Sequence, residues 1–305
     1  MHAPLSGLIA APHTPFHADG SLNLAPIPAQ ARLLARNGVR GAFICGTTGE
    51  GASLTGDERK RVVEAWVAAR PTGLAVIVHV GHLSQGEACE FARHAQQTGA
   101  DAVAALAPSF FKPASVGDLV SWSERVAAAA PQLPYYYYHM PAMTGVNHAA
   151  ADFLREAEGR IPNLAGIKFT HENLMDFAAS TQVAGGKYTM LFGRDEILLA
   201  GLAFGAPGAV GSTYNFAAPL YQRIIAAYQR GDLETARRDQ LKSIEFIEVL
   251  GRHGGLSAGK AAMKLIGLDC GPVRSPLRPL TARDEESLRE GFEKIGFFEY
   301  ASKIG

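Results

Sequence analysis

The chain has 305 residues, 47% hydrophobic and 19% charged, a composition for a globular protein long enough to bury a large core. Lys+Arg and Asp+Glu both number 29 and no basic block stands out, which argues against a nucleic-acid partner. No apolar run approaches the ~20 residues of a membrane span, and residues 1–16, broken by Pro4, Pro12 and Pro15, lack the basic start and long apolar stretch of a signal peptide.

Short apolar or β-branched runs alternate with helical patterns. The first two runs are 7–11 and 41–45. A helical segment, 57–69, follows a capping-box signature: Thr55 stands three residues before Glu58, ahead of Val62, Val63, Ala65 and Trp66. Strand-like runs at 74–80 and 102–107 are followed by helical patterns at 85–97 and 117–130. The fifth and sixth runs, 133–139 and 164–169, precede helical patterns at 149–158 and 173–183. Runs at 189–192 and 209–212 complete a set of eight. Eight alternations predict an α/β fold, a (β/α)8 TIM barrel rather than an open doubly wound sheet. Consecutive apolar positions within the runs are expected of strands covered on both faces. After Asn215 the strand signals stop, and 219–229, 233–250, 257–266 and 285–294 have helical patterns. The expectation is a catalytic barrel over 1–218 and a C-terminal helical extension over 219–305. Cys45, Cys89 and Cys270 form no CxxC pair, and this odd, sparse set suits a reducing cytoplasm without structural disulfides.

In such barrels chemistry sits at the C-terminal ends of the strands. Lys168, in the apolar run Leu164-Ala165-Gly166-Ile167-Lys168-Phe169-Thr170, is costly to bury as an ammonium, and a neutral amine there is a nucleophile for carbonyls. A snorkelling or ion-paired lysine at a strand end is the alternative. Thr170 falls on the same side of the strand by alternation. Tyr138, near the end of the neighbouring strand, could shuttle protons beside a Schiff-base nitrogen, whereas Tyr135 and Tyr137 fit wall or core positions. After the second strand, Gly46-Thr47-Thr48-Gly49-Glu50-Gly51 can turn tightly and point amides and hydroxyls at a small carboxylate or phosphate, or be an ordinary glycine-rich turn. After the seventh, Gly193-Arg194-Asp195-Glu196 offers acids to sugar hydroxyls and to the start of the next helix, with no third ligand for a metal nearby. Gly211-Ser212-Thr213-Tyr214-Asn215 places a further polar cluster at the same rim.

Two motifs lack their context. Residues 255–259 match GxSxG around Ser257, and 254–260 match GxxxxGK ending at Lys260, but no strand precedes either. The pairs His13/His17 and His79/His82 carry no strong metal signature, and His79 fits a satisfied, partly buried histidine.

The combination GTTGEG at 46–51, YYYYHMPAMTGV at 135–146, GIKFT at 166–170 and GSTYN at 211–215 resembles the N-acetylneuraminate lyase and dihydrodipicolinate synthase family of pyruvate-dependent class I aldolases. The resemblance covers the chain from about Gly7 through the eighth strand and into the tail. It implies a barrel with a helical extension, a homotetramer, a small-molecule keto acid substrate, and no metal or organic cofactor. Residue by residue it implies that Lys168 is the Schiff-base lysine and Tyr138 the catalytic tyrosine. Thr47 and Thr48 would hold the pyruvate carboxylate. Thr170, Gly193, Asp195, Glu196 and Ser212 would bind the sugar portion in the lyase branch. Met143 stands where the synthase branch has an arginine for the second substrate's carboxylate. The stretch 135–146, His79-Val80-Gly81 and residues 127–134 are similar to animal-type members of the lyase branch. Phe110 occupies the position of a relay tyrosine and cannot pass a proton. The implied reaction is reversible aldol cleavage of N-acetylneuraminate to N-acetylmannosamine and pyruvate. The alternatives are a family aldolase or dehydratase acting on another 2-keto-3-deoxy sugar acid, a dihydrodipicolinate synthase, a non-catalytic ligand-binding barrel, and a serine hydrolase at Ser257.

Overall fold

The structure, a computed structural model, describes residues 4–304. The bounds 1 and 305 of the expected units, and residues 1–3 of the N-terminal stretch, lie outside the described residues. Eight parallel strands close into a barrel in chain order: β1 (Gly7–Ala10), β2 (Gly41–Ile44), β3 (Ala75–His79), β4 (Ala102–Leu106), β5 (Tyr135–His139), β6 (Leu164–Phe169), β7 (Thr189–Phe192) and β8 (Gly208–Gly211). Each follows its sequence expectation to within two residues.

Alternation divides the strand side chains into two cores. Ile9, Phe43, Ile77, Ala104, Tyr136, Tyr138, Leu191 and Val210 fill the barrel interior. Tyr135 and Tyr137 belong to the layer between sheet and helices, where the Tyr137 ring packs 4.4 Å from Phe153. Four consecutive tyrosines thus serve both faces of one strand.

The outer layer comprises α1 (Ile27–Arg36), α2 (Gly56–Ala69), α3 (Gln85–Thr98), α4 (Val116–Ala128), the short α5 (Pro141–Thr144), α6 (Ala150–Ala157), α7 (Leu174–Gln182) and α8 (Leu198–Ala203). The Thr55–Glu58 capping box at the start of α2 is formed. The sequence pattern gave no helix at α1 or α8. Prolines flank and enter the first turn of α1, and α8 has only six residues with Gly201 inside, too few to express a 3.6-residue period.

Beyond β8 come α9 (Ala218–Gln229), α10 (Leu233–Arg252), α11 (Leu256–Leu265) and α12 (Ala282–Lys294). Arg223 joins α9 to the fully buried Asp239 on α10 through two hydrogen bonds, of 3.0 and 2.8 Å. Phe246, Phe292 and Phe297 continue the barrel's outer core into these helices. α10 and α11 thereby lie over the C-terminal mouth of the barrel.

Candidate active site

A cavity of about 310 Å³ opens at the C-terminal ends of the strands. Thr47, Thr48, Tyr138, Lys168, Thr170, Gly193, Asp195, Glu196 and Ser212 all line it. The strand pairing brings the central pair together, since Tyr138 and Lys168 are direct partners between β5 and β6. Lys168 Nζ lies 3.7 Å from the centroid of the Tyr138 ring and 4.1 Å from that of Phe43. Lys168 is only 4% exposed and, among the described residues, makes no hydrogen bond or ion pair. The snorkelling and ion-paired alternatives are therefore absent from the geometry.

The Tyr138 hydroxyl stands 3.4 Å from Thr47 Oγ1 and donates to Met140 Sδ at 3.0 Å. Phe43 and His79 pack edge-on to the Tyr138 ring. His79 is a satisfied histidine: Nδ1 lies 3.1 Å from the Cys45 carbonyl and Nε2 accepts from the Leu106 amide at 3.3 Å. Burial, aided by Arg59, pushes its pKa down to about 3 and keeps it neutral.

The turn after β2 is held from below. The Thr14 hydroxyl donates to the Gly49 carbonyl at 2.6 Å, and the Glu50 amide to the Thr47 carbonyl at 3.1 Å. Among the described residues the amides of Thr47 and Thr48 have no acceptor, so this turn has donors to offer a small anion.

On the opposite wall two glycines make room for side chains. A Cβ on Gly193 would overlap Thr170 Oγ1, and one on Gly211 would overlap the Asp195 carboxylate. Thr170 Oγ1 is buried without a hydrogen-bond partner. Asp195 Oδ2 accepts from the Thr213 amide at 3.2 Å and from its hydroxyl at 2.5 Å. Asp195 and Glu196 also stand in the first turn of the short helical segment Asp195–Ile197, the helix-start position expected from sequence. Burial pushes its pKa up to about 6, against the pull of the Thr213 bonds. Arg194 reaches Glu172 at 2.6 Å and Glu196 at 3.7 Å across the rim.

Both out-of-context motifs are structural. The Ser257 hydroxyl donates to the Arg278 carbonyl at 2.7 Å, on a helix with no preceding strand. Lys260 is buried against Glu50. His13 and His17 part company, His13 lining the cavity and His17 lying exposed on the loop. Burial and the charge of Lys260 push the His13 pKa down to about 3. Among the described residues no group of three or more His, Cys, Asp or Glu side chains is placed to hold a metal ion. Met143 and Phe110 are exposed and do not line the cavity.

Residues 4–295 match the dihydrodipicolinate synthetase family. The chain belongs to this family. Within it, the chain is 42% identical to the N-acetylneuraminate lyase of Mus musculus over 294 residues, covering 93% of this chain and 92% of that protein. The solved structure of Proteus mirabilis N-acetylneuraminate lyase superposes with a TM-score of 0.94 at 46% identity, covering 97% of this chain and all of the other. A Ruminococcus gnavus sialic acid aldolase, solved as a catalytic lysine mutant, superposes with a TM-score of 0.91 at 28% identity over 96% of each chain.

Family membership accounts for the barrel and its tail, but several residues of this cavity were not legible in the sequence. His13 and Met140 line it, as do Ile247, Leu250, Leu256 and Gly259 from the tail. The tail residues carry no polar signature, and their place at the rim follows only from how α10 and α11 pack. Met140 carried a weak signal, since it follows Tyr138 by two positions and alternation puts both on one side.

Proposed function

We propose that this chain is a Schiff-base-forming aldolase that reversibly cleaves N-acetylneuraminate to N-acetylmannosamine and pyruvate. The observation that carries the proposal is the buried Lys168 amine, without an ion-pair partner among the described residues, lying against Tyr138 at the end of a barrel strand. The names of the mouse and Proteus relatives support the choice of sugar acid. Met143, at the position where the synthase branch carries an arginine, supports it against a synthase, because it offers no charged partner to an acidic aldehyde.

In this reading the open-chain keto acid sets its carboxylate on the amides and hydroxyls of Thr47 and Thr48. Thr170, Gly193, Asp195, Glu196 and Ser212 receive the polyol. The Lys168 amine attacks the ketone carbon, and the carbinolamine loses water to give an iminium. The C4 hydroxyl gives up its proton as the C3–C4 bond breaks, and the bonding pair moves into the iminium to leave an enamine. N-acetylmannosamine departs as the aldehyde. The enamine is protonated at C3, and hydrolysis frees pyruvate and Lys168. Tyr138 serves the proton transfers around the imine. The scheme uses side chains of this chain alone.

We further place residues 1–218 as the catalytic barrel and 219–305 as an extension that completes the cavity wall. We infer a cytoplasmic homotetramer. The three cysteines are free, and the segments that follow β3, β4 and β5 expose Leu83, the contacting pair Phe110 and Phe111, and Met143, apolar side chains that suit self-association. Sedimentation as a monomer would overturn the tetramer.

The deciding experiment compares pyruvate release from N-acetylneuraminate and from 2-keto-3-deoxygluconate under one set of conditions. Preference for the nine-carbon acid supports the proposal. Preference for the shorter acid keeps the Lys168 chemistry and discards the sialic acid, and inactivity on both removes the aldolase reading unless pyruvate is trapped on Lys168.

A further inference from the structure

We propose that Met140 is a positioning residue, which holds the phenol proton of Tyr138 away from the substrate until a leaving hydroxyl needs it. The proposal rests on the roles given above to Lys168 and Tyr138. Met140 Sδ lies 3.0 Å from the Tyr138 hydroxyl, which donates to it, and 3.8 Å from Thr47 Oγ1. A thioether has no proton, so either hydroxyl can only donate toward it. Tyr138 has one proton to give. While that proton points at sulfur, the phenol oxygen turns lone pairs toward Thr47, 3.4 Å away, and toward the cavity that Lys168 shares. The resting site therefore presents Tyr138 as a hydrogen-bond acceptor.

The sulfur is held by its backbone. Met140 precedes Pro141, which disfavours the helical region for it, and its φ of −147° and ψ of 71° lie outside that region. Its carbonyl accepts the amides of Met143 and Thr144, each at 3.1 Å, and the Thr144 hydroxyl at 3.2 Å. The side chain is half-buried at the inner edge of the barrel core. Hydrogen bonds to sulfur are weak, so the phenol can leave this acceptor at small cost.

Imine formation calls for both orientations. As the amine adds, a proton moves from nitrogen to the former ketone oxygen, and Tyr138 accepts a hydrogen bond from the adduct. The carbinolamine hydroxyl then departs as water with the Tyr138 proton, leaving an iminium on Lys168 and a phenolate that water reprotonates. Met140 favours the first orientation without blocking the second.

The test is rapid-quench borohydride trapping of the pyruvate imine in the wild type, Met140→Leu and Met140→Gln. Met140→Leu keeps the volume and removes the acceptor. It is expected to slow imine formation about three- to tenfold at saturating pyruvate, the range of a neutral hydrogen bond, with the half-saturating pyruvate concentration within about twofold of wild type. Met140→Gln supplies an amide oxygen and is expected to recover most of the loss. Met140→Leu at the wild-type rate, or Met140→Gln as slow as Met140→Leu, would overturn the proposal. Thermal melts check that each variant folds, and Met140→Ile replaces the leucine variant if that one does not. A wild type that traps no pyruvate on Lys168 would instead refute the aldolase reading itself.

Discussion

Lys260 Nζ lies 2.8 Å from Glu50 Oε1, with both side chains almost completely buried, so α11 of the tail is fastened to the turn that carries Thr47 and Thr48. Glu50 adopts the left-handed region at φ 51°, unusual for a residue with a side chain, and its other oxygen accepts the Arg274 amide at 2.8 Å. Lys260 also donates to the Pro272 carbonyl at 2.7 Å. Burial pushes the Lys260 pKa down, and Glu50 opposes that push. Charges this deep are stabilising only as a pair, because each alone loses its hydration without return.

Lys260→Ala is therefore expected to cost about 3–5 kcal/mol, the usual penalty for leaving a buried charge uncompensated. The double variant Glu50→Gln/Lys260→Met should be more stable than the Lys260→Ala single variant. Urea denaturation of the variants checks this. A loss below about 1 kcal/mol for Lys260→Ala, the range of an exposed pair, would show that water reaches the site.

Lys168 is buried and, among the described residues, makes no hydrogen bond or ion pair, which is a poor arrangement for stability and a good one for a nucleophile. Borohydride with pyruvate should add one reduced pyruvate to the peptide containing Lys168, read by mass spectrometry. Lys168→Met should abolish both the adduct and turnover, and should melt no lower than wild type. An adduct on another lysine would move the nucleophile elsewhere.

Asp195 combines a pocket position with a costly burial. Asp195→Ala should raise KM for the sugar acid far more than for pyruvate in the reverse reaction; equal effects would leave it a structural role only. Its folded pKa of about 6 stands above the ordinary 3.8, so the folded state holds this proton more tightly. The group therefore lowers stability as pH rises from about 4 to about 6, by an order of 3 kcal/mol in full. Asp195→Asn should remove that component, seen by comparing unfolding free energies of variant and wild type at pH 4.5 and 7.

His13, His79 and His139 act in the opposite sense. Burial is the leading cause in each, and each pKa falls from 6.5 to about 3. The unfolded chain takes up these protons first, so stability is lost as pH falls below about 6.5. At pH 5 the loss is about 2 kcal/mol for each histidine, which outweighs the relief of about 1 kcal/mol at Asp195. Urea unfolding should show a less stable protein at pH 5 than at pH 7. Equal stability at the two values would mean that water reaches these rings.

Ser257 should remain unlabelled by a fluorophosphonate probe, because its hydroxyl is committed to the Arg278 carbonyl on a helix without a nucleophile elbow. Labelling that is lost in Ser257→Ala would contradict this.

The barrel was legible in the sequence because its information is local. Each strand announces itself by a short run of apolar residues, and the polar residues that follow each run mark the rim. Tyr138 and Lys168 could be placed side by side from strand order alone, and their pairing follows that order. The rim residues Thr47, Thr48, Asp195, Glu196 and Ser212 converge for the same reason, since a closed parallel sheet sends all its strand ends to one mouth.

Only the tertiary structure decided which groups meet there. GxxxxGK at 254–260 has the letters of a phosphate loop, yet Lys260 is the buried partner of Glu50, a contact set by helix packing between distant parts of the chain. Asp195 opens a helical turn as expected, but its carboxylate is held by Thr213 across the β7–β8 rim, a contact the sequence did not show. Met140, which alternation places only on the same side as Tyr138, brings its sulfur to the Tyr138 hydroxyl. Sequence periodicity encodes which face of its own element a residue occupies; what that face meets depends on the packing of every other element around it, and the charge balance and hydrogen bonds of the site are settled at that level.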